Sequence, residues 1–148
     1  MEVGLRRDWD PELYVRTKTS GTLTSSRIWV GLFSADPSGA GTGLTNIAGF
    51  RYDTSVSDTI WQFCTADGTT QACTSTGVTV TASTVYDFAV ICSISATDCK
   101  GYINGTLVAT RTANLPVSTT TMGYHFGIST LTGGTRAMLF SRMTLLHK

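Results

Sequence analysis

Charge is scarce in this sequence. Lysine, arginine, aspartate and glutamate make up 14% of the 148 residues, against about a quarter in an average soluble domain. Glutamate occurs only at Glu2 and Glu12, so a common helix former is nearly missing. A formal net charge of +1 excludes the basic stripe on which nucleic-acid binding depends, and no nucleic-acid partner is expected. No apolar run approaches the roughly 18 residues of a membrane-spanning helix, so no membrane partner is expected either. The opening residues Met1 to Arg7 lack the apolar centre of a signal peptide, and the chain is expected to carry no secretion signal of its own.

What fills the sequence instead is threonine (27) and serine (14), beside 41% hydrophobic residues. Threonine is stiff at its first side-chain torsion and suits a pleated strand, so the composition points to an all-β fold. A chain of this length buries roughly 68–70% of its unfolded surface, enough for one core. The expected organisation is an N-terminal arm, residues 1–11, and a single sandwich domain, residues 12–148. Short segments rich in aromatic and β-branched residues predict strands near 12–19, 27–34, 48–54, 59–65, 71–74, 77–81, 85–94, 99–104, 106–112, 122–130 and 135–146. The clearest alternation sets Tyr86, Phe88, Val90, Cys92 and Ile94 on one face, with Asp87 and Ser93 on the other; Ala89 and Ile91 weaken the contrast. Asn104-Gly105 predicts a type I′ hairpin, because both residues accept the positive φ which that turn demands. The turn accounts for the Asn104-Gly105-Thr106 sequon without glycosylation. Asp67-Gly68 marks a second hairpin. Ser38-Gly39-Ala40-Gly41-Thr42-Gly43 lacks the Lys-Ser/Thr ending of a phosphate loop and reads as a flexible surface loop.

Arg27-Ile28-Trp29-Val30-Gly31-Leu32-Phe33, then Gly49-Phe50-Arg51-Tyr52-Asp53-Thr54 and Asp58-Thr59-Ile60-Trp61, form an ordered series that continues through Asp67-Gly68-Thr69, Tyr102-Ile103-Asn104-Gly105 and Asn114-Leu115-Pro116. Together these blocks resemble the concanavalin-A-like (laminin-G-like) jelly-roll domains of tailed-bacteriophage structural proteins, over about residues 14–146. The resemblance implies a two-sheet antiparallel jelly-roll sandwich. It also implies a virion protein made in the host cytoplasm: a capsid decoration or cement protein, a homotrimer, with the major capsid protein or other virion proteins as partners. Arg6, Arg7, Asp8, Trp9 and Asp10 are the expected capsid or subunit contacts. The alternative is a receptor- or glycan-binding module of a tail fibre or spike.

Chemistry is harder to place. Related glucanases need two carboxylates at alternating positions of one strand, and no Glu-x-Asp pair exists here, so the chain is expected not to be an enzyme and a polysaccharide-acting role is disfavoured. His125 and His147 have no partners that spell a triad or a metal set. No cofactor is expected, although loop carboxylates such as Asp53 and Asp58 leave a calcium ion open. The cysteines fall in two pairs across predicted hairpins, which favours Cys64 with Cys73 and Cys92 with Cys99 among three connectivities, with free buried thiols as the alternative. Trp29 and Trp61 sit within strand patterns and belong in the core. Arg51 and Asp53 alternate with Phe50 and Tyr52 and are the expected surface-binding residues.

Overall fold

Alternation of large apolar residues with Thr, Ser and Gly produces ten strands in the computed structural model, which describes residues 5–146. They are β1 (Glu12–Lys18), β2 (Ser26–Phe33), β3 (Ile47–Asp53), β4 (Ile60–Ala66), β5 (Gln71–Thr79), β6 (Val85–Ser93), β7 (Asp98–Ile103), β8 (Thr106–Arg111), β9 (Gly123–Thr130) and β10 (Leu139–Leu146). All pairings are antiparallel, in two five-stranded sheets ordered β10-β1-β6-β7-β8 and β5-β4-β3-β2-β9. The fold is thus the expected all-β, two-sheet antiparallel sandwich.

Two segments differ from expectation. The stretches predicted at 71–74 and 77–81 form one strand, β5, because Gly77, at φ +74°, is absorbed as a register shift opposite Ile60 and Gln62. Thr76 Oγ1 donates to the Trp61 carbonyl there (2.7 Å), holding the irregular strand to β4. The last strand begins at Leu139 and not near 135, since Gly133 and Gly134 take positive φ ahead of it.

The main core lies between the inner faces. Leu13, Val15, Tyr86, Phe88 and Val90 from one sheet meet Ile28, Val30, Leu32, Phe50, Trp61 and Phe63 from the other. Phe88 packs 4.9 Å from both Phe50 and Trp61, measured between ring centroids. The alternating face read from β6 is therefore the buried one, and the disulfide between Cys92 and Cys99 sits in the same core.

A second, smaller core lies on the outer face of the β5-β4-β3-β2-β9 sheet, where Trp29, Phe33, Ile47, Cys64 and Ala66 are buried. Residues 34–46 fold back over it. Trp29 Nε1 donates to the Ala40 carbonyl (3.0 Å), Arg27 Nη1 to Ser38 (3.2 Å) and Arg51 Nη1 to Gly41 (2.8 Å). Leu44 N donates to Gln71 Oε1 (2.9 Å), beside the disulfide joining Cys64 to Cys73. The glycine-rich segment is a surface loop as expected, with Gly39, Thr42 and Gly43 exposed, and it also forms the cover of this sheet. Gly41 is required for so close an approach, because a Cβ there would strike the Asp53 carboxylate.

The N-terminal residues are stitched to their own domain. Leu5 is buried and exchanges both backbone hydrogen bonds with Met122 (2.6 Å each). Arg7 Nε donates to the Pro116 carbonyl (2.6 Å), Arg6 pairs with Asp8 (2.7 Å), and Asp10 Oδ1 accepts from Ile94 N (2.6 Å). Trp9 is the exposed member of the group.

Candidate functional site

With one sheet covered by residues 34–46, the open sheet face is the outer side of β10-β1-β6-β7-β8. Strand alternation puts Glu12, Tyr14 and Arg16 of β1 on that side, while Leu13, Val15 and Thr17 point into the core. A groove of about 900 Å³ runs across it, lined by residues of β1, β6, β7 and β10 and by the Asn104-Gly105 turn.

Register arranges the groove in rows. In the central row Thr144, Tyr14, Ala89, Tyr102 and Leu107 lie side by side on five successive strands. Neighbouring strands are about 4.8 Å apart, so the two tyrosine backbones stand roughly 10 Å apart across the small Ala89. The small side chain of Ala89 thus lies at the groove floor between the two tyrosines. In the next row Arg142, Arg16 and Asp87 are consecutive. Arg16 grips Asp87 with a two-pronged pair, Nε to Oδ1 and Nη2 to Oδ2, both 2.6 Å. Asp87 is held to the turn beyond, its backbone N–H donating to Asn104 Oδ1 (2.9 Å). Asn104 and Gly105 have φ of 52° and 79°, the positive pair a type I′ turn needs.

The electrostatics follow from these contacts. The Arg16 hydrogen bonds lower the Asp87 carboxyl below its ordinary value, and Asp87 in turn raises Arg16. Burial raises the Tyr14 phenol, and its hydrogen bond to Glu12 Oε2 (3.0 Å) adds to the rise. Tyr14 is accordingly a proton donor, not a phenolate, at neutral pH.

None of the contact or surface residues expected from the sequence lies in this groove. Arg51 and Asp53, the expected surface-binding residues, are buried beneath residues 34–46 and are corrected to structural roles. Arg51 holds Asp58 (2.8 Å) and Arg27 holds Asp53 (2.6 Å), with Ser55 N and Oγ donating to Asp53 Oδ1. Alternation did put both outside the main core, but a second layer of chain covers that outside. Arg6, Arg7, Asp8, Trp9 and Asp10 cluster away from the groove, bonded to residues 94, 116 and 118. Asp53 and Asp58 are taken up by arginines, and no cluster of three or more potential metal ligands occurs among the described residues. His125 sits on β9, 3.8 Å from Asp36 and edge-on to Phe33, while His147 lies outside the described residues. The signal for the groove was present in the sequence as Ala89 and Ile91: two apolar residues on the polar side of β6 are its floor.

Two five-stranded antiparallel sheets with a groove across one of them define a concanavalin-A-like jelly-roll sandwich, the class of galectins, β-glucanases and alginate lyases. Within that class the model of the SO2946-like C-terminal domain family matches residues 3–141, and the chain belongs to this family. The protein of unknown function SO2946 from Shewanella oneidensis MR-1 is similar in structure, with TM-score 0.66 at 16% identity over 94% of this chain and 58% of that one. Sheep galectin-11 gives 0.62 at 9% identity, over 99% and 96% of the two chains. Alginate lyase PA1167 from Pseudomonas aeruginosa gives 0.63 at 10%, over 96% and 66%. The chain thus spans about three fifths to two thirds of the Shewanella protein and the lyase but nearly all of the galectin. No curated protein matches the sequence.

These likenesses bear out the concanavalin-A-like fold; they do not show a bacteriophage origin. They also overturn the expectation that the chain is not an enzyme, since alginate lyases, a β-glucanase and a glycosidic hydrolase share this sandwich alongside the galectins. The missing Glu-x-Asp pair tested for one arrangement only, the paired carboxylates of glycoside hydrolysis. It has no bearing on elimination, the chemistry of a lyase.

Proposed function

We propose that the chain engages a polysaccharide along the groove on the β10-β1-β6-β7-β8 sheet, as a glycan-binding or polysaccharide-acting domain. The observation that carries this reading is the pair Tyr14 and Tyr102 flanking Ala89 on the open sheet face. Sugar rings present C–H faces that pack on the electron-rich faces of aromatic rings, and a shallow apolar trough edged by a few polar groups is the general form of a ligand site. The fold shared with galectins and alginate lyases supports it. The capsid-cement role, with its virion partners and trimer, draws on the sequence resemblance alone.

A glycan array followed by titration of any ligand found is the test. Tyr14→Ala and Tyr102→Ala should each weaken binding about tenfold, the scale of one good aromatic contact, without lowering the melting temperature appreciably. Absence of any glycan ligand, or a ligand indifferent to both substitutions, would overturn the reading. Release of new reducing ends from the bound polysaccharide would distinguish action from binding.

A further inference from the structure

The row beside the tyrosines carries an unbalanced charge, and a backbone irregularity put it there. Opposite β1, strand β10 has one extra residue: Phe140 pairs with Thr17 and Arg142 with Arg16, leaving Ser141 unmatched. Without that bulge Ser141 would face Arg16, and Arg142 would fall opposite the core residue Val15 and point inward. The bulge therefore turns Arg142 onto the groove, directly across from a second arginine. Like charges directly opposite in a sheet are destabilising, and a bulge gives up ladder hydrogen bonds.

The other charges on this face compensate only in part, Asp87 feeling Arg142 through space without bonding to it. Asp87 is held by both prongs of Arg16. Asp98 pairs with Lys100 (2.8 Å). Glu12 lies at the far end of β1, against the Tyr14 hydroxyl. Lys18, next along the same face of β1, adds another cation. Arg142 is exposed and makes no hydrogen bond or ion pair with a carboxylate among the described residues, acting on Asp87 only through space.

We infer that the groove takes an acidic polysaccharide, and that Arg142 receives a sugar-ring carboxylate while Tyr14 and Tyr102 hold the ring. The inference rests on the groove being the glycan site. A guanidinium offers a planar fork that matches a carboxylate, so a uronate bound beside Arg142 would complete a second arginine–carboxylate pair next to Arg16–Asp87 and relieve the repulsion between the arginines.

The test is titration of the full chain with a panel of homopolyuronates of different sugar configuration, each beside its carboxyl-reduced, neutral form. At least one polyuronate should bind, its neutral form about tenfold more weakly, in line with the loss of one charge-assisted pair. Arg142→Ala should weaken polyuronate binding by a similar factor and neutral binding by much less; Arg142→Lys should recover part of the polyuronate loss. Added salt should weaken the wild type more than Arg142→Ala. Equal binding of charged and neutral forms, or full affinity in Arg142→Ala, would overturn the carboxylate assignment while sparing the groove. A sulfated polysaccharide binding where every polyuronate fails would overturn it too. If neither charged nor neutral polysaccharides bind, it is the groove itself that fails as the glycan site.

Discussion

Arg51 illustrates how a charged residue can leave one core only to enter another. Its guanidinium is buried, donates to both oxygens of Asp58 and reaches the Gly41 carbonyl. Removing one partner of a buried pair leaves the other charge without compensation, at about 3–5 kcal/mol. Arg51→Ala should therefore cost most of that range in urea unfolding, and an effect under about 1 kcal/mol would mean the pair is solvated. Titrating groups set the acid limit. Burial opposes the charged form of Asp53, but the hydrogen bonds from Ser55 and Arg27 outweigh it and hold the carboxyl below its ordinary value. Burial lowers His125, against a smaller opposing effect of Asp36. In both cases the unfolded chain takes up the proton first, so stability falls as pH falls. The His125 contribution is present above about pH 6.5 and the Asp53 contribution above about pH 3.9, each being lost on descent through the lowered folded value. Melting temperature should decline in two stages on acidification. His125→Gln should remove the first stage and leave the second.

Strands and turns carry the next set of consequences. The β7–β8 turn was legible in the sequence because the positive φ of Asn104 and Gly105 depends on those two residues alone. Asn104 also accepts from Asp87 N, which links the turn to the groove. Asn104→Ala loses the bond and strains a positive φ, and should cost about 1–2 kcal/mol in chemical denaturation; no loss would mean the turn is not type I′ in solution. The disulfides close sequence separations of 9 and 7 residues. Reduction should cost at most about 2–3 kcal/mol for each, and non-reduced peptide mapping should give the 64–73 and 92–99 pairs. The bulges were not legible. Ser141 looks like any strand residue, and its unmatched place in β10 is decided by the register of Leu13 and Val15 against Leu145 and Met143, packed on residues distant in sequence. A register shift opposite Gly101 and Tyr102 of β7, which leaves Val108 of β8 unmatched, likewise brings Leu107 beside Tyr102 on the other flank of the groove.

The molecule as a whole is asymmetric between its two outer surfaces. One sheet is roofed by residues 34–46 over its own small core; the other is bare and grooved. Tryptophan reports this division, since Trp29 lies under the roof, Trp61 in the main core and Trp9 on the surface, 40% exposed. Acrylamide should quench only a minor fraction of the emission, and Trp9→Phe should abolish that fraction; ready quenching of a second population would mean the roof opens. At the open side of the sandwich, Phe126 of β9 stacks on Phe140 of β10 with centroids 4.3 Å apart, joining the two sheets where no strand closes them.

Local chemistry was sufficient for the all-β composition, most strand positions, the alternating core face of β6 and the Asn104-Gly105 turn. Each depends on residues adjacent in the chain, and their side-chain shapes and backbone preferences are written there. It also brought each cysteine within reach of its partner through a short hairpin. Which outer face remains open, that Arg51 and Asp53 are hidden, and that Arg142 meets Arg16 in the groove depend on contacts between segments far apart in sequence. Those contacts emerge only when the segment 34–46 settles on β2, β3 and β4 and when β10 finds its register on β1. Alternation tells a strand's two faces apart, and only packing tells which of them meets water.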